Sequence, residues 1–281
     1  MWMSGLAAIL RSKMISIKTK EDIAILREGG KRHALILREL AKMVRPGLPV
    51  IELENTARRL ISEGTGSGFD GSDKPAFLDY QPKGASRPYP AALCVSINDE
   101  VVHGIPNEPD KNGAEKVLKE GDIVSMDLGL IHKNLITDAA VTVAVGKISD
   151  ECAKLLKVTK ESLMAGIKAV KAGKRVGAIG EAIERVALAH GYGVVEDLSG
   201  HGVGYEVHED PYVPNYGSAK KGAILKPGMV IAIEPMFNLG TKKIVFDNRD
   251  GYTFRTADGK PSAHFEHTVV ITKSGAEILT V

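Results

Sequence analysis

Two segments of this chain follow the same pattern and end on the same kind of residue. Residues 118–127 read LKEGDIVSMD, and residues 225–234 read LKPGMVIAIE. A glycine followed by an apolar run is typical of a turn that leads into a strand. Each run should be buried, and a buried carboxylate is costly unless it is paired or binds a metal. The pattern therefore predicts two similar strands that bring Asp127 and Glu234 to one shared site.

The helical segments repeat in a similar way. Periodic apolar residues predict a helix that starts at Thr19, its N-cap, and ends near residue 44, followed by a second helix over 51–62. The same order of a long helix, a glycine turn and a second helix recurs over 151–171 and 177–190. Any pair of consecutive helices has comparable spacing, but together with the repeated strands the pattern favours two similar α/β halves.

The other predicted strands are short and lie mostly in the C-terminal half. They cover 93–97 and 101–102 (as a hairpin), 122–130, 138–145, 194–197, 203–208, 229–237, 252–256 and 264–272. Glycine, proline and polar residues predict loops over 64–74, 79–90 and 106–116. Helices and strands that do not simply alternate are typical of the α+β class.

Composition limits the class of protein and its surroundings. The chain has 281 residues, 43% of them hydrophobic and 26% charged, which is ordinary for a globular protein. A net charge of +2 indicates neither a nucleic-acid partner nor a membrane surface, and no apolar run approaches the roughly 20 residues of a membrane-spanning helix. With only two cysteines, we expect a reducing cytoplasmic location. We expect a flexible extension over residues 1–16, with Met1 or Met14 as the true start, and a single domain over 17–281.

Three further residues complete a candidate metal site. Asp138 lies on a predicted hairpin with Asp127, which brings both carboxylates to the same end. His201 lies in a GHGVG segment, whose glycines allow close backbone approach, and Glu266 lies within an apolar strand. Four carboxylates and one imidazole suit two divalent cations. Each residue also has an interpretation without a metal. Asp127 and Asp138 could be solvated acids of a hairpin, and His201 could be a surface histidine. Glu266 could be a charge on an edge strand, on a solvent-exposed face that also carries His264 and His267.

Two other histidines and one cysteine are weaker candidates. His103 ends a predicted strand and fits either a proton shuttle or a structural histidine. His208 follows His201 at an odd separation, so the two share a site only if the glycines bend the chain between them. Cys94 is predicted to be a small buried side chain, because the sequence places no base beside it.

Taken in order, these motifs resemble the type I methionine aminopeptidases of the pita-bread fold, from about residue 18 to the C-terminus. The resemblance rests on segments spread along the whole chain: 89–99, 102–106, Asp127, Asp138, 200–204 with His208, 233–235 and 265–268. It implies a pita-bread fold, with two pseudo-symmetric α/β halves around a central antiparallel sheet. It also implies removal of the initiator methionine from nascent chains, with a preference for a small second residue.

The resemblance assigns a role to each matching residue. Asp127 would bind one of two divalent metal ions, His201 with Glu234 the other, and Asp138 with Glu266 would bridge them. The metals could be Co, Mn, Fe or Zn, because this ligand set accepts all four. His103 and His208 would contact the scissile peptide, and Glu234 would shuttle a proton. The methionine pocket would be lined by Tyr89, Cys94 and Tyr252.

The chain also departs from the family pattern. The loops at 77–89 and 107–118 are extended, and the first of them lacks the usual first aromatic residue of the pocket. Ala139 stands where a hydroxyl is usual, and Val207 where an aromatic is usual. Two alternatives remain: an X-Pro dipeptidase or aminopeptidase P, which usually carries an additional N-terminal domain, and a non-catalytic binding protein on the same fold. We expect a monomer that acts on the N-terminal peptide of nascent chains, associated with the ribosome.

Overall fold

The computed structural model describes residues 15–64, 71–109 and 113–281. The helices in these ranges are α1 (Lys20–Met43), α2 (Val50–Glu63), α3 (Asp150–Ala169) and α4 (Gly177–His190). The strands before α3 are β1 (Lys74–Pro75), β2 (Leu93–Ile97), β3 (Glu100–Val102), β4 (Ile123–His132) and β5 (Leu135–Ala144). The strands after α4 are β6 (Gly193–Val194), β7 (Gly200–Gly202), β8 (Glu209–Val213), β9 (Val230–Ile233), β10 (Met236–Asn238), β11 (Ile244–Phe246), β12 (Phe254–Thr256), β13 (Ser262–His264), β14 (His267–Ile271) and β15 (Ala276–Ile278).

The four predicted helices are confirmed to within two residues. At the start of α1 the Thr19 hydroxyl accepts a hydrogen bond from the backbone N–H of Asp22, and the Asp22 carboxylate accepts one from the backbone N–H of Thr19. This reciprocal capping box satisfies two amides that a helix start leaves unpaired. The apolar stripe predicted for α1 forms its buried face, which includes Leu26, Leu37 and Leu40.

The described residues form two helix pairs, two larger antiparallel sheets of four and five strands, and two three-stranded sheets. In the first half, α1 packs on β4 and β5 while α2 packs on β2, around a core that contains Leu53, Val95 and Met126. In the second half, α3 packs on β9, β10 and β13, while α4 packs on α3. The second sheet runs β15-β14-β9-β7-β8. The predicted α+β class with two similar halves is therefore confirmed.

Several predicted strands need correction. The turn at Asn98 does not close a hairpin, because β2 pairs with β4 whereas β3 pairs with the distant β12. Residues 203–208 are not a strand: the chain turns at Gly204, whose φ is +138°, and the strands lie on either side as β7 and β8. The strands β11 and β15 were not predicted at all.

Two predicted long strands are each interrupted once. The segment 229–237 divides into β9 and β10 at Glu234 and Pro235, since proline has no N–H for the sheet. The segment 264–272 divides into β13 and β14 at Phe265 and Glu266. Because β13 pairs with β10 and β14 pairs with β9, the two interruptions face each other.

The N-terminal end of the described chain contacts the second half. Ile15 packs against the core of that half, and the Ser16 hydroxyl bonds to Glu209. Residues 1–14, most of the predicted extension, lie outside the described residues. In the part of the chain that the structure describes, no helix combines the length and apolar character needed to cross a membrane.

Candidate metal centre

The β4–β5 hairpin places Asp127 and Asp138 on one face. Asp127 lies opposite Ala140 and Gly129 opposite Asp138, so the two acids are diagonal neighbours on the same side of the ladder. A two-residue turn closes this hairpin, with φ of +47° at Lys133 and +65° at Asn134, as in a type I′ turn. Asp138 is also tied to β14, because its backbone N–H donates to the Thr268 hydroxyl at 2.8 Å.

The facing strand interruptions hold the two glutamates. Glu234 follows β9 directly, and Glu266 precedes β14. The backbone N–H of Glu266 donates to the carbonyl of Ala140 at 2.9 Å, which joins this interruption to the hairpin of the first half. Both glutamates line the same cavity.

Close packing of backbone around two glycines positions His201. A Cβ on Gly200 would lie 2.3 Å from the Ala232 carbonyl oxygen, and one on Gly202 would lie 2.2 Å from that of Asp210, so neither position accepts a side chain. The imidazole Nδ1 lies 2.9 Å from the Gly202 carbonyl oxygen, which leaves Nε2 towards the acids. That nitrogen is 3.4 Å from Glu234 Oε1 and 3.9 Å from Asp138 Oδ2.

Burial makes this group of acids electrostatically costly. Desolvation raises the pKa of Asp127 to about 7. Desolvation, then repulsion from neighbouring acids, holds the pKa of Asp138, Glu234 and Glu266 well above the ordinary range. Burial lowers the pKa of His201 to about 3, so its imidazole is neutral near pH 7. Among the described residues, no lysine or arginine pairs with these four acids, so protons or bound cations must compensate their charge.

The donor atoms fit a divalent cation. One ligand atom each from Asp138, His201 and Glu266 lie within 4.8 Å of one another. Within the described ranges, Asp127 Oδ1, Asp138 Oδ1 and Glu266 Oε1 are buried without a hydrogen-bond partner. Buried polar atoms normally have partners, and oxygen-rich sets with one imidazole are typical ligands of divalent metals. All five predicted ligands line one cavity: Asp127, Asp138, His201, Glu234 and Glu266.

An apolar cavity of about 170 Å³ opens beside these acids. The three predicted pocket residues line it. Tyr89 packs edge-on against Tyr252, with ring centroids 5.0 Å apart, and its hydroxyl donates to the Gly104 carbonyl at 2.8 Å. Burial raises the pKa of Cys94 well above its ordinary value, so the residue is a neutral thiol, as expected for a packing side chain.

Two predicted histidines reach the same cavity. The His208 ring centroid lies 4.5 Å from that of His201, so the chain between them bends as their shared site requires. His103 has a φ of +60°, a conformation that is uncommon outside glycine. Burial lowers the pKa of His103 to about 4 and also lowers that of His208, so both rings are neutral near pH 7.

Three residues near the site were not predicted from the sequence: Phe77, Tyr80 and His264. The 77–89 loop, expected to lack the usual first aromatic residue of the pocket, brings Phe77 and Tyr80 to the cavity, and the Tyr80 hydroxyl lies 2.9 Å from His208 Nδ1. Nothing in that proline-rich loop indicated a direction for its side chains. His264 was taken as a sign of a wet face, but it is 1% exposed and faces Glu234 and Glu266. The sequence did contain one signal for this position: His264 lies two residues before Glu266, and residues two apart in a strand point to the same face.

Comparisons with known proteins identify the family of this chain. Residues 24–273 match metallopeptidase family M24. Over 268 residues, 95% of this chain and 98% of the relative, the sequence is 46% identical to the methionine aminopeptidase of Aquifex aeolicus. The crystal structure of methionine aminopeptidase from Thermotoga maritima aligns with a TM-score of 0.86 at 42% identity, covering 95% of this chain and 99% of that one. A prolidase from Pyrococcus furiosus, at 24% identity and a TM-score of 0.69 over 94% of this chain and 65% of its own, shows a likeness of fold alone.

Proposed function

Because this chain belongs to the methionine aminopeptidases of metallopeptidase family M24, we propose that it removes the initiator methionine from nascent proteins, preferring a small second residue. The observation that carries the proposal is the convergence of four carboxylates, three of them buried and Glu234 half-buried, with one neutral imidazole beside an apolar cavity. Carboxylates that repel one another in a buried place raise the free energy of the protein, so such a cluster indicates bound cations.

We assign the site two divalent cations. Asp127 would hold one, His201 and Glu234 the other, and Asp138 with Glu266 would bridge them. When bound, such cations lower the pKa of a water molecule towards neutrality and polarise a peptide carbonyl. The ligand set accepts Mn, Fe, Co or Zn, so metal analysis of the purified protein must identify the native ion.

Glu234 is the proposed proton shuttle. Its carboxylate lines the cavity, and its Oε1 lies 3.4 Å from His201 Nε2. In the reaction the carboxylate would take a proton from the attacking water and deliver it to the leaving amine, as general acid–base catalysis requires.

His208 is proposed to stabilise the negative charge that develops on the substrate carbonyl. Its ring is neutral near pH 7, so it carries one N–H. A Tyr80 hydroxyl that donates to Nδ1 over 2.9 Å leaves Nε2 as the N–H donor towards the cavity. His103, which lines the same cavity, would contact the same peptide.

The pocket suits one unbranched side chain. The cavity that contains this pocket has a volume of about 170 Å³ and is also lined by the proposed metal ligands, so only part of that space is open to the side chain. Tyr89, Cys94 and Tyr252 would surround a thioether, which makes favourable contacts with aromatic rings. We place this activity in the cytoplasm, in a monomer whose catalytic domain spans residues 17–281 and which meets nascent chains at the ribosome.

A series of peptides that differ only in the second residue tests the proposal. We expect Met-Gly, Met-Ala and Met-Ser peptides to be cleaved at least about 10-fold more efficiently than Met-Leu or Met-Lys peptides, compared by kcat/KM. Metal content is measured on the same sample. Equal kcat/KM across the series would indicate a broader aminopeptidase, and faster cleavage of Ala-Pro than of Met-Gly-Met-Met would indicate an X-Pro peptidase.

A further inference from the structure

His264 has a fixed position behind the proposed metal ligands. It ends β13 opposite Met236, the first residue of β10. The Thr142 hydroxyl accepts a hydrogen bond from the His264 backbone N–H at 2.9 Å and donates to its carbonyl at 2.7 Å. The Thr142 hydroxyl also lies 2.8 Å from that of Ser125 on β4. The backbone of His264 is therefore held from the β4–β5 hairpin, which also carries two of the proposed ligands.

The imidazole of His264 faces two carboxylates. Its Nε2 lies 3.7 Å from Glu234 Oε2 and 3.9 Å from Glu266 Oε2. The side chain is 2% exposed, and in the described part of the chain neither ring nitrogen has a hydrogen-bond partner. A buried donor left unpaired costs about 1–3 kcal/mol. A shift of roughly half an ångström would bring the nearer pair into hydrogen-bond range.

Glu234 therefore lies between two imidazoles. Its Oε1 faces His201 at 3.4 Å, and its Oε2 faces His264 at 3.7 Å. His201 lines the cavity, whereas His264 lies outside the set of described residues that line it. The two oxygens of the Glu234 carboxylate thus have different surroundings: Oε1 faces the proposed metal site, and Oε2 faces the buried imidazole of His264.

We propose that His264 is a positioning residue that donates a hydrogen bond from Nε2 to Glu234 Oε2 and so turns Oε1 towards the metal shared with His201. The inference rests on the proposed metal site. A carboxylate ligand with one oxygen held by a neutral donor loses less freedom when it binds a cation. Loss of such an outer partner typically lowers metal affinity about 10- to 100-fold.

Metal affinity of donor-free and donor-retaining variants tests the proposal. Metal-free protein is titrated with Mn²⁺, and separately with Co²⁺, by isothermal titration calorimetry. We expect His264→Leu to raise the Kd about 10- to 100-fold. His264→Gln keeps a side-chain N–H donor, so we expect its Kd to stay close to that of the unaltered protein. His264→Met serves as a second donor-free variant if the leucine variant does not fold.

His267→Leu is the matched control. This neighbouring imidazole lies 2.9 Å from the Thr280 hydroxyl, so its loss should leave the Kd unchanged. A Kd for His264→Gln as weak as that for His264→Leu, or donor-free variants that bind as tightly as the unaltered protein, would overturn the positioning role while leaving the proposed function intact. If the unaltered protein binds neither metal, the proposed function fails together with this inference.

Discussion

His208 lies beside the acidic cluster without pairing to any of its carboxylates. Its imidazole contacts His201 and Tyr80 instead. We therefore expect His208→Ala to bind metal almost normally and to lose roughly 100- to 1000-fold in kcat, as is typical when a donor to the transition state is removed. Elemental analysis and kinetics on the same preparation check this. A variant that is purified with much less metal would show that His208 is a ligand.

We expect Tyr80 to influence the proposed reaction through His208. Tyr80→Phe removes the hydroxyl that holds His208 Nδ1, so both ring tautomers become available. A net hydrogen bond is worth about 0.5–1.5 kcal/mol, so we expect kcat to fall roughly 2- to 10-fold while metal affinity is unchanged. The ¹⁵N NMR shifts of the His208 ring should move towards a tautomer mixture. Tyr205→Phe is the control, because the Tyr205 hydroxyl bonds to Asp22. If both variants lowered kcat equally, the effect of Tyr80 could not be assigned to its contact with His208.

At the scale of elements, α1 packs on β5 through a histidine that must stay neutral. His33 is fully buried, its Nδ1 lies 3.1 Å from the Thr137 hydroxyl, and burial followed by the charge of His267 lowers its pKa to about 3. In the unfolded chain its pKa is close to 6.5, so the unfolded state binds the extra proton between these values. The contribution of His33 to the free energy of unfolding is therefore fully present above about pH 6.5 and is lost as the pH falls towards 3.

His33→Leu should flatten that dependence. One proton contributes at most about 1.4 kcal/mol per pH unit to the slope of unfolding free energy against pH. We expect the slope between pH 6.5 and 4.5, measured by urea unfolding of metal-free protein, to be smaller in the variant than in the unaltered protein by up to that amount. His190→Leu, at an exposed position on α4, is the control and should keep the original slope. Parallel curves for His33→Leu and the unaltered protein would contradict the expectation.

At the scale of the whole molecule, the acidic cluster joins the two halves. Asp127 and Asp138 come from the first half, whereas His201, Glu234 and Glu266 come from the second. A cation bound only by the folded protein stabilises it by about 2.7 kcal/mol at a concentration 100 times its Kd. We expect Tm to rise with Mn²⁺ concentration in scanning calorimetry. Asp138→Asn should abolish most of that rise, while the surface variant Glu39→Gln should keep it. A Tm independent of Mn²⁺ would contradict the proposed metal site.

Much of this architecture was predictable from the sequence because its causes are local. Helix periodicity, the Thr19 cap and the turn at Lys133 and Asn134 each act over a few residues. The same holds for the carboxylates that end apolar runs, because burial of a run of neighbours forces the acid at its end to find a partner. The two similar halves follow from such local patterns occurring twice.

Contacts between distant segments were decided only by the tertiary structure. The partner of β3 is β12, some 150 residues away in the chain, so no local signal could reject the predicted hairpin. The direction of Tyr80 depends on how an irregular loop packs over His208, and the burial of His264 depends on the pairing of β13 with β10. The sequence by itself determined which residues could form the site, because apolar runs and their periodicity depend on residues that are close together in the chain. Tertiary structure decided which side chains orient those residues, because that depends on where separate strands end relative to one another.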